Sequence, residues 1–274
     1  MSSGADRYPA PLRRARLVAD LRALGLRAGG DLLVHCALRQ LGPLEQGPAT
    51  LAAALREVLG PAGTLLVPTE TAGNSTTSRA FRSAIRGMDP ARIARYEAAL
   101  PGWDRHATPS QEMGVFAEHV RRTPGAVRSD HPQTSFAALG PRARELTDGH
   151  DLDCHLGERS PVGRLHAAAG QILLLGVGYE ACSALHLAEY RLPVPPPHRD
   201  YRCYRLVGGR RVRLDFRALD LDDGDFPALG SDLDGAPFVR HGRVGNAAAR
   251  LLPVRATVDF AVDWFAASRC GLRH

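Results

Sequence analysis

The sequence predicts an α/β protein: a mostly parallel central sheet covered by helices, followed by a β-rich C-terminal portion. Three observations carry that expectation. The runs Leu32-Leu33-Val34-His35, Thr64-Leu65-Leu66-Val67-Pro68 and Gln171-Ile172-Leu173-Leu174-Leu175-Gly176-Val177 are short and apolar without alternation, as strands buried on both faces are. Helical segments stand between them, in the strand–helix–strand rhythm of a sheet joined by crossovers. From Arg199 onward the pattern turns to β, with Gly208-Gly209 as a hairpin turn.

The elements follow in order. Residues 1–11 are polar with two prolines and are expected to be mobile, and residues 12–274 to form one domain, since no linker or repeat divides them. Apolar Leu12, Leu17, Val18, Leu21 and Leu24 predict a helix over about Leu12–Leu24, and Gly29-Gly30 turns the chain into the first strand. A helix runs from Thr50 to Leu59, where Gly60-Pro61 stops it. Residues 70–112 read as irregular, rich in Thr, Ser, Gly and Arg, with a helix around Pro90–Leu100; a loop this long is usually functional. Then come a helix at Met113–Arg122, a strand or loop over 126–140 ending in Gly140, and a helix beginning at Pro141–Leu146. After the Gln171–Val177 strand a helix spans about Ser183 to Tyr190, followed by strands Tyr201–Val207 and Arg211–Phe216. The final helix, Val258–Ala267, packs either internally or between the subunits of a homodimer.

Composition narrows the function. All 35 basic residues are arginine, which excludes Schiff-base chemistry, a pyridoxal phosphate anchor and a Walker-type Gly-Lys-Ser/Thr loop. The net charge is +6, but it is badly placed for nucleic acid: six arginines between Arg199 and Arg213 are followed by seven aspartates from Asp215 to Asp234, which would repel a phosphate backbone. The five cysteines (Cys36, Cys154, Cys182, Cys203 and Cys270) are widely spaced without a Cys-x-x-Cys pair, so neither a zinc ribbon nor a thioredoxin-type site is expected. An Arg-rich start without an apolar run, and the lack of a stretch of roughly 20 apolar residues, lead us to expect a cytoplasmic protein with reduced thiols and no membrane partner.

Three segments carry chemistry. In Leu185-His186-Leu187-Ala188-Glu189, His186 and Glu189 stand at i and i+3 on one helix face, beyond the carboxyl end of a core strand, where open α/β sheets bind ligands. A histidine steered by a carboxylate suits a general base near neutral pH; a helix-surface ion pair and half a zinc site are the other readings of this pattern. In Val34-His35-Cys36-Ala37-Leu38, a strand-to-helix junction offers backbone N–H groups to phosphate; His35 and Cys36 point to opposite faces, which suits a Cys–His nucleophile poorly. Arg128-Ser129-Asp130-His131-Pro132 combines cationic and hydroxyl donors in a loop, either to bind an anion or to pair locally.

Seven segments in order resemble the aminoglycoside 3-N-acetyltransferase (antibiotic N-acetyltransferase) family: LLVHCALRQLG (32–42), GTLLVPT (63–69), TPSQEMG (108–114), PGAVRSDHPQTSFAALG (124–140), SPVGRLHAAAGQILLLGVG (160–178), SALHLAE (183–189) and GRVGNAAARLL (242–252). The resemblance covers about residues 12 to 270 and implies the family's three-layer α/β/α fold. It implies acetyl transfer from acetyl-CoA, with no metal, to an amine of an aminocyclitol antibiotic, typically the 3-amino group of 2-deoxystreptamine. The family's catalytic His and Glu fall on His186 and Glu189, with Ser183 in place of a threonine. Its CoA-facing segment falls on His35, Cys36, Ala37 and Leu38, where cysteine and alanine replace two serines. Its remaining segments near the cofactor and active site fall on Met113, Gly114, Arg128, Ser129, His131 and Pro132. Glu70 stands where the family often has Phe.

The chemistry implies roles. An ammonium cannot attack a thioester, so His186 is expected to take its proton, with Glu189 orienting the ring and direct transfer requiring no acyl-enzyme. Ser183 or loop N–H groups would steady the tetrahedral intermediate. A polycationic acceptor calls for acidic walls, for which Glu70, Glu97, Asp220, Asp222 and Asp223 are candidates. Competing readings are the same fold acting on another amine, a thiol hydrolase using Cys36 or Cys182, and a nucleic-acid binder.

Overall fold

Helix α1 (Arg14–Leu24) buries Leu17, Val18, Leu21 and Leu24 and leads into strand β1 (Asp31–Cys36), helix α2 (Pro48–Leu59) and strand β2 (Thr64–Pro68). The long irregular stretch holds α3 (Arg79–Ala84) and α4 (Pro90–Ala98), and ends at α5 (Gly114–Arg122). Strands β3 (Val127–Arg128) and β4 (Phe136–Leu139), helices α6 (Ala143–Thr147) and α7 (Pro161–Ala167), and strand β5 (Gln171–Leu175) follow. Next are α8 (His186–Tyr190), the hairpin of β6 (His198–Val207) and β7 (Arg210–Leu219), α9 (Phe226–Leu233), β8 (Arg240–Val244), β9 (Ala247–Pro253) and α10 (Val254–Arg269). The computed structural model describes residues 10–269, so most of the N-terminal segment expected to be mobile, and Cys270, lie outside the described residues. Among the described residues no helix is long and apolar enough to cross a membrane.

Seven strands form one sheet in the order β3-β4-β2-β1-β5-β9-β8, and β6 and β7 form a second, two-stranded one. Alternate side chains of the central strands point to opposite faces. Leu32, Val34, Leu65, Val67, Leu173 and Leu175 pack beneath α1, α2 and α5, with Leu21, Leu55 and Phe116. Leu33, Leu66, Ile172 and Leu174 pack on the other face against α7 to α10, with Leu165, Leu229, Val258 and Phe265. The architecture is therefore α/β in three layers, and the Val258–Phe265 stripe of α10 packs internally.

The sheet is mixed rather than mostly parallel. Only β2, β1 and β5 run parallel, whereas β4 pairs antiparallel with β2, and β9 with β5. The outer strands escape the buried-strand pattern because of where they lie: β8 is exposed at four of its five positions, and β3 has two residues. The parallel trio fixes the site, because strands running the same way deliver their carboxyl ends to one edge. That edge receives His35 and Cys36 from β1, Glu70 after β2, and the turn after β5 that leads to α8. Gly176, the first residue of that turn, has φ of +68°, and a Cβ there would stand 2.6 Å from Gln40 Cβ, so only glycine lets the turn pass under the segment after β1.

Candidate active site

Two cavities meet at this edge. The first, of about 1000 Å³, runs between the loop after β2, the Asp220–Asp225 segment and the loop before β6. The second, of about 790 Å³, runs between the end of β1, the first turn of α5 and the loop before α8. Glu70, Leu156, His186 and Asp223 line both. A group bound in either cavity therefore has His186 within its reach.

His186 opens α8 after a single 3-10 turn at Ser183–Leu185, where the sequence predicts continuous helix. Its Nδ1 lies 2.5 Å from Glu189 Oε2, and its ring packs 4.7 Å from that of Phe226. Glu189 is fully buried. Its other oxygen, Oε1, accepts from Arg269 Nη1 at 2.6 Å and from the backbone N–H of Asp222 at 3.1 Å. Arg269 is held in turn by Asp225 and stacks 3.9 Å over Phe265. With Glu189 Oε2 as its partner, His186 Nδ1 is the donor of that hydrogen bond, which leaves the Nε2 lone pair free to face the cavities.

Ser183 lines the second cavity and acts on the Glu70 carboxyl, which burial pushes up to about 7. His35, Cys36, Ala37, Leu38, Met113 and Gly114 line the same cavity. Burial lowers His35 to about 4, and its Nε2 has no partner among the described residues. Gly114 opens α5 with φ of +80°, and a Cβ there would press on Cys36 O at 3.4 Å. Burial pushes the Cys36 and Cys182 thiols up to about 12, the opposite of an activated nucleophile, which argues against the thiol hydrolase.

Arg128, Ser129 and His131, expected near the cofactor, line neither cavity. Arg128 is buried and donates to Thr69 O at 2.6 Å, Thr108 O at 2.5 Å and Ser135 Oγ at 3.0 Å. Ser129 Oγ accepts from the Phe136 N–H at 2.9 Å, and His131 Nδ1 accepts from the N–H groups of Gln133 and Thr134, each at 3.1 Å. Pro132 O accepts from Thr71 and Asn74. The polar residues that suggested an anion site thus satisfy buried backbone groups and brace the loop that carries Glu70.

The acidic candidates separate. Asp220 and Asp223 face the first cavity, each beside an arginine, Arg199 at 2.8 Å and Arg79 at 2.7 Å. Asp222 lines it too and supplies its backbone N–H to Glu189. Glu97 lines neither cavity; it accepts from Tyr204 Oη at 2.5 Å. Sequence reasoning missed Leu156 and Arg269. Nothing local marks either one: Arg269 lies beyond the expected final helix, which the structure extends to include it, and Leu156 is an ordinary apolar residue.

The family model described as aminoglycoside 3-N-acetyltransferase matches residues 33–266. The chain is 38% identical over 273 residues to aminoglycoside N(3)-acetyltransferase VII of Streptomyces paromomycinus, spanning 94% of this chain and 93% of that one. Among solved structures, AAC-IIIb in a binary complex with CoASH superposes with a TM-score of 0.83 at 29% identity, covering 94% of this chain and 97% of that one. AAC-VIa bound to sisomicin gives 0.81 at 34% identity, covering 94% and 98%. A match across most of the chain, with relatives above 30% identity over nearly their whole length, places this protein in the aminoglycoside 3-N-acetyltransferase family, and it is an acyltransferase.

Proposed function

We propose that this protein transfers the acetyl group of acetyl-CoA to the 3-amino group of 2-deoxystreptamine aminoglycosides, as a resistance or self-protection enzyme acting in the cytoplasm. The observation that carries this reading is the meeting of two cavities at a histidine whose Nδ1 a buried carboxylate holds at 2.5 Å. The second cavity suits acetyl-CoA. Val34, Leu38, Met113, Val115 and Phe116 offer an apolar wall to its pantetheine arm, and the orphaned His35 Nε2 offers a polar contact. When bound there, acetyl-CoA supplies the activated acetyl group.

The first cavity suits a polycation. Six carboxyl groups line it, Glu70, Glu189, Asp220, Asp222, Asp223 and Asp225, against four arginines. The acceptor's other ammonium groups exchange for the exposed Arg79 at Asp223 and shift Arg199 from Asp220. His186 Nε2 takes a proton from the acceptor ammonium, and the free amine attacks the thioester carbonyl. Glu189 stabilises the imidazolium that results, and Arg269 and the Asp222 N–H hold Glu189 in place. The Ser183 hydroxyl stands nearby to donate to the developing oxyanion. Transfer is direct, since neither cysteine at the site is an activated thiolate.

CoA thiol release, measured with acetyl-CoA and a panel of kanamycin, gentamicin, neomycin, apramycin and simple amines, tests this. Turnover on 2-deoxystreptamine compounds is expected, with a loss of about 10²–10⁴-fold in His186→Ala and unchanged CoA binding. Turnover only on other amines would move the acceptor, and failure to bind CoA would overturn the reading.

A further inference from the structure

Around the first cavity, four carboxylates are matched by arginines, Asp223 by Arg79, Asp220 by Arg199, and both Asp225 and Glu189 by Arg269, and the Asp222 carboxylate accepts from the Gly224 N–H. Glu70 is different. It stands at the junction of both cavities beside His186, and no arginine is among the groups acting on its carboxyl. Its backbone is rigidly held. Glu70 O accepts from the Gln111 N–H, and the N–H groups of Thr69 and Thr71 donate to Ser135 O and Gln133 O, each at 2.8 Å.

Acetyl transfer to an ammonium makes one N–C bond and breaks one C–S bond, and the nitrogen sheds two protons. One proton ends on the departing sulfur and the other leaves for solvent. A base that takes the first proton and returns it to sulfur is occupied when the second must leave. We propose that Glu70 is the second proton acceptor at the reacting nitrogen: His186 removes the first proton and gives it to the leaving thiolate, while Glu70 takes the second and passes it to water in the first cavity.

The electrostatics drive that order. Burial, the largest influence, holds the Glu70 carboxyl up at about 7; an ammonium in the junction lowers it and makes it a carboxylate. Conversion of that ammonium to a neutral amide removes the charge and restores Glu70's affinity for a proton. The groups facing Glu70 are His186 from α8 and the Ser183 hydroxyl, which lower it, and Asp223, which raises it. His35 and Cys36 of β1 and His155 share the cavity walls. Burial lowers the histidines to about 4 and 3 and pushes the thiol to about 12, so none of them changes charge between pH 5 and 9 on its own.

The inference rests on the acetyl-transfer reading, and one experiment separates the two. With the full chain and an acceptor from the panel, kcat/KM is measured from pH 5 to 9 for wild type, Glu70→Gln and Glu70→Asp. Results are expressed as wild-type-to-variant ratios, so that the acceptor's own ionisation cancels. For Glu70→Gln the ratio is expected to be about 10² at pH 8 and to shrink about tenfold per pH unit below about pH 7, as Glu70 of the free enzyme, which kcat/KM reports, becomes protonated. For Glu70→Asp, which keeps a carboxylate, it is expected to stay nearly constant. A Glu70→Gln ratio that does not change with pH, or a loss confined to KM, overturns the proposal. Glu70→Ser provides the same ratio if the Gln variant does not fold. A wild type that releases no thiol with any amine refutes acetyl transfer itself, and this role with it.

Discussion

Glu189→Gln keeps the shape of the side chain and removes its charge, so it isolates what the carboxylate does for His186. In the proposed mechanism His186 becomes an imidazolium beside a fully buried carboxylate. Two unit charges about 4 Å apart at an effective dielectric of about 20 attract by about 4 kcal/mol. At about 1.36 kcal/mol per decade, losing that attraction slows the step by about 10³-fold. Glutamine adds a second defect. If its NH₂ faces His186, Nδ1 must accept rather than donate, which puts the ring proton on Nε2 and blocks the base. Thiol release at saturating acetyl-CoA and acceptor should therefore fall about 10³-fold in kcat. KM for acetyl-CoA should stay unchanged, because Glu189 lines only the first cavity. The thermal midpoint reports the fold: Arg269 and the Asp222 N–H still find an oxygen at Oε1. A well-folded Glu189→Gln protein with kcat within threefold of wild type would refute the claim that His186 works through a charged partner.

Two further outcomes follow from the buried segment behind the site. Arg128→Leu removes the donor to Thr69 O, Thr108 O and Ser135 Oγ and empties a buried site, with Thr69 O keeping only the Ser135 hydroxyl, costing about 3 kcal/mol. At an unfolding entropy of about 2.1 cal/mol/K per residue, that lowers Tm by about 5 °C, while KM for acetyl-CoA holds; a raised KM with normal Tm would assign Arg128 to the cofactor instead. Burial holds His150 to about 4, His155 to about 3 and His131 well below its ordinary value. Below about pH 6.5 the unfolded chain binds protons that the folded chain refuses, so stability falls with pH down to about 4, by up to about 1.4 kcal/mol per pH unit for each histidine. Urea midpoints at pH 7, 6 and 5 check this, and a constant midpoint would refute it.

Much of the fold was legible because its signals are local. The three apolar runs that became β1, β2 and β5 differ from their surroundings over five or six residues, and Gly60 and Gly25 close their helices where apolar spacing ends. His186 and Glu189 declared themselves in the same way, since i and i+3 share a helix face in any fold. The outer strands did not, because solvent-facing β8 carries no apolar pattern and its pairing depends on a neighbour it meets only in the sheet.

The sequence by itself determined the α/β class, the strands whose ends build the site, and the histidine–carboxylate pair at i and i+3. The tertiary structure decided which polar residues face a cavity and which are spent on the backbone. Arg128, Ser129 and His131 have the composition of an anion site and brace a loop, whereas Arg269, outside the expected final helix, holds Glu189 from 80 positions away. The physical reason is that a side chain's role depends on whether its hydrogen-bonding groups are already satisfied. That is settled by segments brought together through packing, not by neighbours in the chain.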